Sequence, residues 1–344
     1  MAETSNPVRV ALVGLGGHGL TIQRAVESAE NLQVVAVCDL DPSEMRAAAE
    51  RFGCDAVPSY DQVLARDDVD AVSLVTPNHL HRAQAEAAFA AGRDVFVEKP
   101  IANTVAEGLS MVQAAEAAGR VLMVGHNMRF SPAAQDARET IHQGRLGQIV
   151  SAEIHFSSDT VRQLASNAWR LHPDQCSLLP VMQLGIHAID LMHFLLGPIR
   201  EVFALSRTVL APAGVVDSVS ATFRIEGGPL GTMVSNYCTP VLFEYRIAGT
   251  EGLLHCTPHH YSFRRRDEVD RDGDGAPASS TPGAGLVSYV RQMRAFGEAV
   301  RRGAPSRVTG WDGLQALAVV DALRLSSETG APQRVADVRA EVMG

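Results

Sequence analysis

VALVGLGGHGLTIQ, residues 10–23, decides how the rest of the chain is read. Val10 to Val13 form an unbroken apolar run, as expected of a parallel strand covered on both faces. The run stops at Gly14, Gly16 and Gly19, in G-x-G-x-x-G spacing, and helical sequence follows. In that arrangement one glycine makes a tight turn, one lets backbone approach a diphosphate, and one lets helix and strand pack closely. Ordinary glycine turns share the spacing. Two further features favour dinucleotide binding: the first strand begins within ten residues of the start, and Asp39 ends the second strand twenty residues beyond Gly19. That is the place of a ribose-binding acid. A carboxylate there accepts from the ribose hydroxyls and repels a 2′-phosphate, so NAD is expected over NADP.

Working outward, the first 125 residues alternate short apolar runs with alanine-rich amphipathic stretches, the pattern of βαβ units. Strands are expected at 8–14, 33–39, 71–76, 94–98 and 121–125. The fourth, DVFVE, runs into Lys99 and Pro100. Proline lacks the N–H that a central strand donates, so the strand must end there. Lys99 therefore falls at a C-terminal strand edge, where open α/β sheets bind ligands.

From about residue 150 the pattern changes to consecutive β-rich runs: IVSAEIHF, EVFALSRTVL, DSVSATFRIE, LGTMVSNYC, LFEYRIAGT and GLLHCT. These suggest a largely antiparallel sheet. Helices are expected at 180–196, 286–302 and 311–329, and a flexible surface loop over the Gly-, Pro-, Ser- and Asp-rich residues 267–285. The fold class is α/β: a doubly wound parallel sheet over residues 1–126, then an α+β domain with an open, mostly antiparallel sheet over 127–344.

The segment LLPVMQLGIHAIDLMHFLLG, residues 178–197, is apolar nearly all round, so its few polar residues are informative. In an α-helix Gln183, His187 and Asp190 would share one stripe. A buried stripe of this kind faces either a structural network or a polar cavity, because unpaired polar groups cost on the order of 1–3 kcal/mol each. Under either reading Asp190 would fix the tautomer of His187.

A chain of 344 residues is long enough for two cores. Its formal charge of −9, from 30 Lys and Arg against 39 Asp and Glu, argues against nucleic acid or an anionic membrane as partner. The start of the chain lacks the pattern of a secretory signal, and no run of apolar residues has transmembrane length, so a soluble cytoplasmic protein is expected. Five scattered cysteines with no C-x-x-C pair suggest no zinc site and no redox disulfide.

Taken together, VALVGLGGHG, TPNHLH (76–81), EKP (98–100), VGHNMRFSP (124–132), GIHAID (185–190) and AGTEG (248–252) resemble the Gfo/Idh/MocA family of NAD(P)-dependent sugar and cyclitol oxidoreductases along essentially the whole chain. The resemblance implies that Gly14, Gly16, Gly17, His18, Gly19, Asp39, Thr76, Pro77, Asn78, His81, Glu98 and Lys99 border the cofactor. It implies that Lys99 lies beside the nicotinamide and contacts the reacting hydroxyl, with His187 approaching the same substrate. A homodimer or homotetramer built through the second sheet is implied as well.

One departure stands out: inositol-dehydrogenase-like members usually carry an aspartate four residues before the histidine, where this chain has Gln183. Asp190, Gln183, Trp169 and Arg170 are the candidate substrate contacts; for the last two, an aromatic packed on a loop beside a solvated arginine is an equal reading. The expected reaction is hydride transfer between nicotinamide and a secondary alcohol or ketone of a sugar, sugar derivative or cyclitol. The alternatives are NAD-assisted glycoside cleavage through transient C3 oxidation, and a non-catalytic NAD(P)-binding regulator.

Overall fold

The computed structural model describes residues 6–257, 260–269 and 284–339. They form two compact units, one of residues 1–127 with 286–314 and one of residues 128–285 with 315–344.

The first unit is built on β1 (Val8–Val13), β2 (Leu32–Cys38), β3 (Asp55–Ala56), β4 (Ala71–Leu74), β5 (Asp94–Val97) and β6 (Leu122–Val124). All pairs are parallel, in the order β3-β2-β1-β4-β5-β6. The five expected strands are present, each a little shorter at its C-terminal end; the two-residue β3 is too brief to leave a pattern. Helices α1 (Gly19–Glu27), α2 (Pro42–Phe52), α3 (Tyr60–Leu64), α4 (His81–Ala90) and α5 (Val105–Ala118) connect them. Local chemistry fixes their ends. Asp41 caps α2 by accepting from the Ser43 amide at 2.8 Å, with Pro42 as the first helical residue. Thr104 and Glu107 close α5 with a reciprocal capping box. The strand order reverses between β1 and β4, so the loops leaving these two strands flank the crevice of the sheet.

A single cut at residue 126 assigns everything later to the second domain, whereas the structure groups residues 286–314 with the first unit. Packing explains it. In α9 (Ala284–Arg302), Phe296 lies 5.9 Å from Phe96 of β5, ring centre to ring centre, and both are fully buried. Beyond the helix, the Val124 amide donates to the Val308 carbonyl at 3.3 Å.

The second unit carries β7 (Ile149–Ser157), β8 (Ile199–Arg207), β9 (Ser218–Ile225), β10 (Leu230–Asn236), β11 (Leu242–Gly249), β12 (Gly252–Thr257), β13 (His260–Arg265) and β14 (Gln333–Arg334). Their order is β13-β12-β11-β7-β10-β9-β8-β14. The β7–β10 pair is parallel and the other pairs are antiparallel. In β9 the alternation has period two: Val219, Ala221, Phe223 and Ile225 are buried, while Ser220, Thr222 and Arg224 face solvent. The buried face of the sheet packs on α7 (Ile186–Leu196) and α10 (Gly310–Thr329), where Ile154, Phe223 and Met233 meet Ile189, Met192 and Leu323. The helix α6 (Pro132–His142) starts at Ser131, whose hydroxyl accepts from the Ala134 amide at 3.2 Å.

Three expectations change here. The loop read over 267–285 holds a short helix, α8 (Arg266–Val269), at its start and the first turn of α9 at its end; its remainder, 270–283, lies outside the described residues. Strands β13 and β14 add to the six expected ones. The single helix over 180–196 is two pieces, a π-helical turn at Val181–Gly185 followed by α7. The Ser235 hydroxyl of β10 donates to the Pro180 carbonyl at 2.9 Å, and a Cβ at Gly185 would stand 3.2 Å from the same hydroxyl. The widened turn sits where the chain backs closely onto the sheet.

Candidate functional site

The glycine turn after β1 is tight for identifiable reasons. Gly14 has φ +87°, and a Cβ there would lie 2.6 Å from the Val75 carbonyl oxygen. A Cβ on Gly19 would meet the Gly14 carbonyl at 2.5 Å. Gly16 and Gly17 are different: no backbone atom crowds either position. The first turn of α1, entered through His18, has no side-chain cap. The amides of Gly19, Leu20 and Thr21 donate to the Gly16, Gly17 and His18 carbonyls at 2.9, 3.3 and 2.9 Å, so it is the positive end of the helix dipole that favours an anion here. Asp39 stands beside this turn with both carboxylate oxygens anchored, Oδ2 accepting from the Leu15 amide at 2.6 Å and Oδ1 from the Asp41 amide at 2.9 Å. Two obligatory small positions, an open middle and a fixed acid suit a dinucleotide's diphosphate and ribose.

After β4, Thr76 donates through Oγ1 to Gln84 at 2.6 Å, and Pro77 leads into a short turn at Asn78–Leu80 that buries Asn78. His81 is fully buried. Its Nδ1 lies 3.0 Å from the Pro100 carbonyl and its Nε2 2.9 Å from the Thr76 carbonyl. Burial pushes its pKa down, against the opposing pull of those carbonyls. His81 thus bridges the loops that leave β4 and β5.

Glu98 continues the ladder beyond β5, its amide donating to Leu74 at 2.9 Å. Its side chain is buried, with Oε1 3.4 Å from His18 Nε2 and Oε2 accepting from the Lys99 amide at 3.2 Å. Burial drives this carboxyl up, but His18 and Lys99 outweigh it and hold the pKa below the usual range. Gly125 has no side chain because a Cβ there would be 2.8 Å from the same carboxylate. The ring of Tyr289, on α9, meets His18 edge-on at 5.4 Å between centres, and burial, with the charge of Glu98, raises its phenol pKa. Glu98 is thus a hub that ties the glycine turn to the base of Lys99. Tyr289 carries no signal in the sequence because it lies far along the chain from the motif it serves, and Gly125 stands in VGHNMRFSP with nothing local to link it to Glu98.

In the second unit, Trp169, Arg170 and Gln183 come together. The Arg170 guanidinium sits 4.7 Å from the Trp169 ring centre and its Nε donates to Gln183 Oε1 at 3.1 Å. Gln183 Nε2 in turn donates to Cys176 Sγ at 3.6 Å, which brings in a residue that no spacing had signalled. His187 is buried against Phe156, with ring centres 6.0 Å apart. Asp190 is 0% exposed and held by Arg129, Nε to Oδ2 at 2.8 Å and Nη2 to Oδ1 at 2.7 Å. This bidentate pair joins the NMRF segment to the GIHAID helix. A buried aspartate needs a cation, and VGHNMRFSP offers Arg129, whereas helical periodicity alone points to His187, one turn away.

Residues 8–126 match the model of an oxidoreductase family with an NAD-binding Rossmann fold, and residues 134–255 match the GFO/IDH/MocA C-terminal domain. The chain belongs to the Gfo/Idh/MocA family. Within the family it is 30% identical over 325 residues to a D-xylose 1-dehydrogenase (NADP(+)) of Haloferax volcanii, covering 93% of this chain and 97% of that one. It is 26% identical to a 2,7-anhydro-N-acetylneuraminate hydratase of Escherichia coli, covering 96% of this chain and 98% of that one. A levoglucosan dehydrogenase in complex with NADH and levoglucosan shares the fold, with a TM-score of 0.88 at 23% identity over 96% of this chain and all of that one. The Gfo/Idh/MocA assignment accounts for the parallel sheet, the glycine turn and the mostly antiparallel second sheet together.

Proposed function

We propose that the protein is an NAD-dependent oxidoreductase acting on a secondary alcohol or ketone of a sugar, sugar derivative or cyclitol. The observation that carries this reading is the strand edge of the first unit: the uncapped α1 turn, the anchored Asp39, and Lys99 seated on the Glu98 hub share it. Relatives named as sugar dehydrogenases support the substrate class. Bound there, NAD supplies the hydride acceptor. Asp39 takes the ribose hydroxyls, and the glycine turn at the positive end of the α1 dipole takes the diphosphate. Lys99 hydrogen-bonds the reacting oxygen and stabilises its developing negative charge. His187 holds or removes the hydroxyl proton as general acid or base. Gln183 and Arg170, fixed to each other and to Trp169, orient the remaining hydroxyls.

A second reading is redox-assisted elimination or hydration, favoured by the similarity to a hydratase. One experiment separates the two: incubation with NAD and a panel of pentoses, hexoses, anhydrosugars and inositols, following reduced nicotinamide by absorbance and product mass. Accumulating NADH with a product lighter by two hydrogens supports the dehydrogenase. A rearranged or cleaved product without NADH accumulation supports the second reading. If NADH binds and no compound of these classes changes, the substrate assignment fails.

A further inference from the structure

Three acidic residues follow β2 in the stretch DLDPSE, Asp39 to Glu44, and they are used differently. Asp41 is spent on the start of α2: its Oδ1 accepts from both the amide and the hydroxyl of Ser43, at 2.8 and 2.6 Å. Asp39 is pinned beside the glycine turn by the Leu15 and Asp41 amides. Glu44, half-buried in the first turn of α2, points back to the same place. Its Oε1 lies 3.8 Å from where a Cβ on Gly16 would stand, and its Cδ 3.9 Å. Among the described residues, and apart from the glycine's own chain neighbours, no other atom comes within 4 Å of that position. The open side of the middle glycine, which must face the dinucleotide, is therefore bordered by a second carboxylate.

We propose that Glu44 acts with Asp39 as a specificity determinant that rejects 2′-phosphorylated dinucleotides. The inference rests on the cofactor reading above and adds a residue to it. Ribose hydroxyls donate to the Asp39 carboxylate, so NAD is accepted there, while Glu44 adds charge at the border of the site without being needed by NAD. A 2′-phosphate brings close to two negative charges against both. Discrimination then comes from a repulsive element built against the competitor. Among the charged neighbours of the stretch, Arg46 acts on the helix-capping Asp41.

The test is fluorescence titration with NADH and with NADPH, at low and high salt, on the wild type, Glu44→Gln and Asp39→Asn. Glu44→Gln should tighten NADPH on the order of tenfold and leave NADH within about twofold, with the gain shrinking as salt screens the charge. Glu44→Lys should tighten NADPH further still. If the wild type prefers NADH but Glu44→Gln leaves the NADPH-to-NADH ratio unchanged, Glu44 is no determinant and the NAD reading stands. A wild type that prefers NADPH overturns the NAD reading and this inference with it. Equal weakening of both nucleotides, insensitive to salt, would make Glu44 a structural residue and also defeat the proposal.

Discussion

Every strand of the first unit runs the same way, so the loops that leave its strands all emerge on one edge, and residues scattered over more than a hundred positions of sequence gather there: Gly14, Asp39, Thr76, Glu98 and Gly125. The second unit reverses direction at nearly every strand, and its polar side chains meet through irregular segments, a π-helical turn and a buried ion pair. The difference teaches where local sequence can be trusted. A parallel sheet converts motif position into spatial position almost directly. An antiparallel sheet does so only for facing, in or out, through its period of two.

The largest expected effect tests whether each unit contributes chemistry. Lys99→Ala and His187→Ala should each lower kcat roughly 100- to 10,000-fold while NADH titration shows unchanged affinity. Full activity in both would break the assignment of roles. Next comes the ion pair of the second unit. Arg129→Ala takes the bidentate guanidinium away from the buried Asp190 carboxylate and should cost about 3–5 kcal/mol of stability, read as a lowered denaturant midpoint. An unchanged midpoint would show that Asp190 has another means of support.

A smaller effect probes the glycine turn. Gly19→Ala forces a Cβ against the Gly14 carbonyl, and strain of about 1–3 kcal/mol would weaken NADH binding about fivefold to 150-fold. Binding at wild-type strength would mean that the turn relaxes freely.

The smallest lies at the opposite edge of the first sheet. Arg9, through its side chain and amide, holds the Asp70 pKa below the usual carboxylate range. Because the folded-state value is depressed, the pair's contribution is present above the unfolded pKa of about 3.9 and is lost as pH falls through the folded one. Thermal midpoints of the wild type and Asp70→Asn should therefore differ slightly at neutral pH and converge in acid. A gap that widens on acidification would contradict the direction of the shift.

Legibility followed the same divide. The glycines, Asp39 and the Glu98–Lys99 edge were readable because short-range patterns encode strand ends. The six main strands of the second unit were readable from alternation and β-rich composition. What escaped required partners distant in sequence: Arg129 on Asp190, Cys176 on Gln183, Tyr289 on His18. Periodicity also assumes one kind of helix, and the π-helical turn before α7 broke that assumption for Gln183.

The return of residues 286–314 to the first unit sets an order on the making of this protein. A ribosome releases the glycine turn and all six parallel strands early, yet Phe296 and Tyr289 emerge only after the whole second sheet has been made. Until then Phe96 lacks its ring partner and His18 its aromatic neighbour. The nucleotide-binding unit is therefore a product of nearly the full chain, and a fragment ending at residue 126 would carry the glycine turn, Asp39 and the Glu98–Lys99 edge while missing the helix that completes their packing.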